Sequence, residues 1–342
     1  MPSPIVSLAN AHAVVENGAK KLSGMMRDLR WTDRSRQALN VAKEAHTEFA
    51  KHGLRVPDSV LREWGLALVD CGKLAEGFHR ILEYWQRDPT NREASFLVSG
   101  VRLIVPDSQV GSYENAAVER AASTVYNGIR GMGRWFELET DSSTDILEQL
   151  DRFGFALIRG AFAGFDDRPD VGEHWWRTLR PEESEGLKAY IQSTALKGLY
   201  DAALEPNWSV HETSIVRQVG AQPDTYLGYH QDIVEVHSLT KYLSCWTTFT
   251  DSDSRAKLPG LHLAGVPMST VLPYEHRERD GRYGRYTRTD ICDENLGMVP
   301  TMQVGDLILQ TMFSVHRTQT LEVANIVRDS IDFRILSQNL PF

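Results

Sequence analysis

Met302-Gln303-Val304-Gly305-Asp306-Leu307-Ile308-Leu309-Gln310 reads as strand, Gly-Asp turn and strand. Outward from it, similar short segments recur. Phe153 to Gly160 is an apolar run framed by glycines. Thr213 to Val219 alternates in part through Ile215, Val216 and Val219, and Tyr242 to Phe249 is rich in aromatic and β-branched residues. Arg328 to Leu336 alternates Ile331, Phe333 and Ile335 against Ser330, Asp332 and Arg334. Many short strands with turn signals beyond Asp141 indicate a β-sandwich or jelly roll.

The chain before residue 140 has a different character. Ser35 to Lys51 carries Ala38, Leu39, Val41, Ala42, Ala45 and Phe49 at helical spacing. Pro57-Asp58-Ser59 opens a second helix that stops at Cys71-Gly72, a third runs from Lys73 to Trp85, and a fourth passes through Ala94 to Leu103. Val60 to Asn91 reads either as one tetratricopeptide-like unit, with Gly65, Gly72 and Pro89 at plausible places, or as an ordinary helical bundle. The expected class is therefore α+β, with an all-α domain over 1–140 and a β domain over 141–342. The helices are expected to serve dimerisation, pocket walling or partner binding.

Of the 342 residues, 42% are hydrophobic and 24% charged, within the range of globular proteins, and the formal net charge is -9. That balance argues against nucleic acid as a main partner, because phosphate binding needs a clustered basic surface. The one Arg-rich segment, Arg277 to Arg288, is read first as a solvated loop and second as a lid over an anionic or polar substrate. Cys71, Cys245 and Cys292 are far apart and form no Cys-x-x-Cys pair, which argues against a disulfide framework or structural zinc site. No apolar run reaches the roughly 18 residues a membrane helix needs. The expectation is a soluble, cytoplasmic protein.

Tyr229-His230-Gln231-Asp232 places an imidazole and a carboxylate two residues apart, on one face if the segment is a strand. His316, 84 residues after Asp232 and beyond the Gly-Asp turn, is the candidate third ligand. Two histidines and a carboxylate on one face of a metal leave three octahedral positions open. Non-haem Fe(II) oxygenases use this arrangement, the open positions taking a 2-oxo acid and O2. Arg328 follows His316 by 12 residues, and Ser330 shares its face. An arginine beside a hydroxyl suits the far carboxylate of such a co-substrate. Arg334, on the same parity, is the rival for this role.

The order of these parts resembles the phytanoyl-CoA dioxygenase family of Fe(II)/2-oxoglutarate-dependent oxygenases. The resemblance covers Leu147 to Leu336. It runs through Leu150-Asp151-Arg152-Phe153-Gly154-Phe155, Gly228-Tyr229-His230-Gln231-Asp232, Cys245-Trp246-Thr247-Thr248-Phe249, Gly305-Asp306-Leu307, His316-Arg317-Thr318 and Val327-Arg328-Asp329-Ser330. It implies a double-stranded β-helix (a jelly roll, cupin-like), with His230, Asp232 and His316 as iron ligands and Arg328 as the 2-oxoglutarate anchor. It also implies that Trp246 faces the pocket. The family's Gly-rich turn is only approximated by Pro259-Gly260-Leu261-His262-Leu263, and His262 is read as structural. The Tyr274 to Pro300 insert and the N-terminal helices have no counterpart in compact family members.

The implied reaction is hydroxylation, or another oxidation, of a C–H bond in a polar small molecule such as a sugar, an amino acid or a natural-product intermediate. Succinate and CO2 are released. Asp232 fills the position that is small in related halogenases, so halogenation is disfavoured. Arg217, Gln218 and Tyr226 are the candidate substrate residues. Two alternatives stand beside this reading. One is a protein-modifying oxygenase or partner-binding scaffold recruited through the N-terminal helices. The other is a cupin-like zinc or nickel protein, against which the Arg328/Ser330 pair argues.

Overall fold

In a computed structural model the protein is described over residues 4–130, 138, 142–171, 175–220, 227–234, 240–250, 260–279, 282–288, 291–292, 297–319 and 327–341. It is a mixed α+β chain whose sheets are antiparallel. Two compact units are present. One comprises Met1–Val125 with Thr270–Glu275, the other Tyr126–Ser269 with His276–Phe342.

The first unit contains α1 (Pro4–Trp31), α2 (Ser35–Lys51), α3 (Asp58–Asp70), α4 (Leu74–Arg87) and α5 (Arg92–Arg102). Most of the apolar stripe residues seen in the sequence are buried, including Leu61, Leu66, Phe78, Ile81 and Leu97, whereas Val41 and Phe49 are half-buried and Leu103 is exposed. The side chain of Asn91 caps α5 by accepting from the Ala94 N–H at 2.9 Å. Helices α3 and α4 approach closely where both lack a side chain. A Cβ on Gly77 would lie 2.8 Å from the Gly65 carbonyl oxygen and 2.6 Å from Val69 Cγ2.

Charges are also buried in this unit, and they are paired. Arg30 is 1% exposed. Its guanidinium donates to Asp70 at 2.7 Å, to Glu63 at 2.8 Å and to the Val271 carbonyl at 2.7 Å. Thr270 donates to the other oxygen of Glu63 at 2.6 Å, and Arg62 joins Glu63 to Glu93. The Tyr274 hydroxyl donates to Asp33 at 2.8 Å. A late segment of the chain thus completes the polar interior of the first helices. Ions out of water are tolerated only with such compensation, and removing one partner costs several kcal/mol.

The second unit begins within α6 (Ser112–Arg130) and continues with α7 (Ser143–Phe153), β1 (Phe155–Ile158), β2 (Trp176–Thr178), α8 (Pro181–Ser193) and α9 (Leu196–Leu204). It goes on through β3 (Trp208–Val210), β4 (Ile215–Val219), β5 (His230–Gln231), β6 (Thr240–Thr248) and β7 (Leu261–Leu263). It ends with the part of β8 (Tyr274–Arg279) from His276 onward, β9 (Arg282–Thr287), β10 (Leu307–Thr311), β11 (Val315–Thr318) and β12 (Arg328–Pro341). The large sheet has the order β1-β10-β6-β12-β4-β2, with β3 also on β12, and the small sheet has the order β5-β11-β7.

Strand alternation sends the two faces of the large sheet to different partners. Leu243, Cys245, Leu309, Ile331, Phe333 and Ile335 pack on one face with Leu187, Ile191, Leu199 and Tyr200 of α8 and α9. On the other face Phe155, Leu157, Trp246 and Ile308 form a second core with Leu261 and Leu263 of the small sheet. The even-numbered residues of β12, from Arg328 to Arg334, lie on this inner face.

Several expectations need correction. Asp141 onward is not purely strand-like, because α7, α8 and α9 lie there. The run from Phe153 is split between the end of α7 and β1. Met302 to Gly305 leads into a turn rather than forming a strand. Gly305 has φ +85, and a Cβ there would come within 2.7 Å of the Ala163 nitrogen. Asp306 holds the turn by accepting from Gly160 N–H at 2.9 Å and Gln303 N–H at 2.8 Å. The Arg-rich segment expected as a loop forms the hairpin β8–β9. No helix among the described residues is long and apolar enough to cross a membrane.

Gly77→Ala should destabilise the protein by about 1–3 kcal/mol in urea unfolding, because backbone atoms block the added methyl group. Gly18→Ala, with nothing within 4 Å of its Cβ, should instead stabilise it by about 0.5–1 kcal/mol through helix propensity. Arg30→Met should cost about 3–5 kcal/mol in the same assay, by leaving Asp70 and Glu63 undercompensated.

Candidate metal centre

Strand β11 runs between β5 and β7, and its register sets His316 opposite His230. The two imidazole rings lie 4.3 Å apart between centroids. Asp232 reaches them by a route the sequence did not suggest. The strand ends at Gln231, and Asp232 opens a short 3-10 turn, Asp232–Val234, held by Ile233 N–H donating to the Met312 carbonyl at 3.2 Å. Turn geometry, not strand parity, brings the carboxylate beside the rings. One ligand atom from each of His230, Asp232 and His316 lies within 4.8 Å of the others, and all three residues are buried.

The hydrogen bonds around these groups decide what they offer. His230 Nδ1 lies 2.7 Å from the Gly228 carbonyl and His316 Nδ1 lies 3.3 Å from the Ser314 carbonyl. A carbonyl only accepts, so each Nδ1 carries the proton and each Nε2 presents a lone pair. Those Nε2 atoms sit 3.7 and 3.8 Å from Asp232 Oδ1. Oδ1 is buried and has no hydrogen-bond partner among the described residues. Oδ2, by contrast, accepts from the Ser244 hydroxyl and from Arg334 Nη2 at 3.2 Å. Two lone pairs and one orphaned carboxylate oxygen converge on a point, which is the donor set a divalent cation fits.

Electrostatics agree with this assignment. Burial alone would push the Asp232 carboxyl up, but the Arg334 guanidinium, with the Ser244 hydrogen bond, holds it below the usual carboxylate range. Burial lowers the His316 imidazole further than Asp232 raises it, so the ring is neutral at neutral pH and able to ligate.

The other expected residues separate. Arg328 is fully buried, with its guanidinium stacked 4.7 Å over the Trp246 ring. Trp246 is opposite Asp332 in the sheet, so the long side chain of Arg328 runs back along β12 toward the metal-side rungs. Ser330 donates to the Arg217 carbonyl at 3.5 Å. Arg334 is occupied by Asp232 and by Asp332, the latter at 3.3 Å, which removes it as rival to Arg328. Arg217 lies on the inner face opposite Ser330. Gln218 points to the other face and donates to Asp329 at 3.0 Å, so it does not join the group. Tyr226 lies outside the described residues. His262 points away from His316, with its Nδ1 3.0 Å from the Tyr229 hydroxyl.

Three contributions were missed. Arg334 and Ser244 bind the second oxygen of Asp232; their shared parity with Arg328 and Trp246 was the available signal. Tyr286 of β9 stands edge-on to His230 with ring centroids 6.3 Å apart, and Thr287 N–H donates to the Tyr229 carbonyl at 2.9 Å. No local pattern foretold that pairing.

No protein-family profile matches the chain, and a search of curated proteins finds no relative. Among solved structures, it is similar to EvdO2 from Micromonospora carbonacea var. aurantiaca complexed with 2-oxoglutarate, at 15% identity over 58% of this chain and 91% of that one, with a TM-score of 0.44. It is also similar to the epimerase SnoN in complex with Fe3+, alpha ketoglutarate and nogalamycin RO (12%, covering 57% and 84%, TM-score 0.40), and to the non-heme monooxygenase ThoJ (15%, covering 57% and 79%, TM-score 0.44).

Asp232→Ala and His316→Ala should each lower iron retained after dialysis by at least about tenfold, whereas His262→Ala should retain it, as read by elemental analysis.

Proposed function

We propose that the chain is an Fe(II)/2-oxoglutarate-dependent oxygenase, built on a double-stranded β-helix over residues 141–342 and akin to the phytanoyl-CoA dioxygenase-like enzymes. The observation that carries this reading is the convergence of two histidine lone pairs and the unpaired Oδ1 of Asp232 on one buried point. When bound there, iron(II) with 2-oxoglutarate and O2 supplies an oxidant able to take hydrogen from an unactivated C–H bond, releasing succinate and CO2.

The protein's own groups would have three tasks. His230, Asp232 and His316 hold the metal by one face, in tautomers set by backbone carbonyls. Arg328, fixed on Trp246, pairs with the far carboxylate of 2-oxoglutarate, where a rigid guanidinium fork binds with little ordering cost. Phe155, Leu157, Ile308 and Leu263 line the inner core and keep the inter-sheet space dry, which strengthens each charged contact.

For the substrate, a cavity of about 830 Å³ at the edge of the large sheet supports a polar small molecule. Trp175, Trp176, Thr178, Glu212 and Ile215 line it. Trp176 is opposite Arg217, and Arg217 opposite Ser330, so Trp176 shares a sheet face with these residues.

Anaerobic titration of the Fe(II)-loaded protein with 2-oxoglutarate tests the reading. A weak visible charge-transfer band is expected. Its absence, with metal bound and protein folded, would reject the assignment. Arg328→Ala should weaken 2-oxoglutarate binding by about 1.5–3 kcal/mol, roughly 10- to 150-fold in Kd. Unchanged affinity would return the zinc or nickel alternative.

A further inference from the structure

The two oxygens of Asp232 are treated differently by the protein. Oδ1 faces both histidine Nε2 atoms and has no hydrogen bond, while Oδ2 accepts from Ser244 and Arg334. Arg334 is itself fixed. The same Nη2 that meets Asp232 lies 3.3 Å from Asp332, and Nη1 donates to the Thr213 carbonyl at 3.4 Å. Arg334 and Ser244 are opposite one another on β12 and β6, so the two donors approach Oδ2 from neighbouring strands of a paired ladder. Arg334 is 7% exposed and Ser244 2%.

We propose that Arg334 and Ser244 are positioning residues that keep Asp232 a one-oxygen ligand and thereby hold open a third position on the metal. This rests on the iron reading above. The count is decisive. Two histidines and a carboxylate bound through one oxygen use three of six octahedral positions, leaving two for 2-oxoglutarate and one for O2. A carboxylate bound through both oxygens uses a fourth, and the co-substrate then fills the site. A carboxylate chelates readily when both oxygens are unoccupied. Here the charge-assisted bond from Arg334 and the Ser244 bond, both in a dry interior, oppose the rotation that chelation requires. Groups that orient a ligand in this way typically change affinity or activity by about 10- to 100-fold when removed.

A charge-balance role for Arg334 makes a different prediction, and Ser244 separates the two because removing its hydroxyl changes no charge. The test uses the full chain loaded anaerobically with Fe(II) and 2-oxoglutarate, with nitric oxide as a stand-in for O2, its binding followed by electron paramagnetic resonance. Variants are Arg334→Met, Arg334→Lys and Ser244→Ala, each checked by thermal melting. Positioning predicts that Arg334→Met and Ser244→Ala still bind 2-oxoglutarate but bind nitric oxide at least about tenfold more weakly, and that Arg334→Lys recovers part of the loss. If Arg334→Met does not fold, Ser244→Ala carries the test alone. Wild-type nitric oxide affinity in Ser244→Ala would overturn the proposal. A wild-type protein that binds no Fe(II) or no 2-oxoglutarate would instead overturn the oxygenase reading on which it rests.

Discussion

The candidate centre depends on the pairing of β11 with β5 on one side and β7 on the other. That register sets His316 across from His230, and it sends Leu263 inward beside them while His262 turns away. Side chains alternate along a strand, so a slip of one residue would exchange His316 for Arg317 and dismantle the ligand set. The burial of Leu261 and Leu263 against Trp246 and Ile308 resists such a slip, because it would expose the same apolar groups that close the inner core. Packing and chemistry are therefore fixed by one registration.

The first unit shows a second constraint, of chain order against spatial order. Arg30 and Thr270 are 240 residues apart, yet with Glu63 they form one buried polar cluster. The helices are not an independent leading segment, since their interior charges are completed by Thr270–Glu275. The chain leaves that segment directly into β8, and β9 of the same hairpin carries Tyr286 to the edge of His230.

What could be read in the sequence follows from which signals are local. The stripes of α2 to α5 and the alternation in β12 are periodicities within one element, and both appear at the expected places. His230, Asp232 and His316 were found because ligand chemistry limits the residue types, although the stated reason for Asp232 was wrong. A 3-10 turn places it, and strand parity does not. Helices α8 and α9 were overlooked despite Pro181, Glu182 and Glu183 forming a recognisable start, with Glu183 accepting from the Arg180 N–H at 2.8 Å. The β8–β9 hairpin was hidden because arginine, glycine and tyrosine in alternation suit a solvated loop equally well. The role of Arg334 and the outward turn of Gln218 depend on cross-strand partners, which no single segment encodes.

The charges on the inner face give these pieces a common logic. Asp232 and Asp332 face Arg334 between them, while Arg217 and Arg328 lie along the same face on β4 and β12. Burial disfavours each of these ions separately, and burial raises Asp332 even though Arg334 opposes the shift. Asp232 Oδ1 faces the two histidine Nε2 atoms and meets no hydrogen-bond donor among the described residues. The Arg328 guanidinium is stacked on the Trp246 ring. Removing Arg334 would leave Asp232 and Asp332 undercompensated in a medium of low dielectric constant.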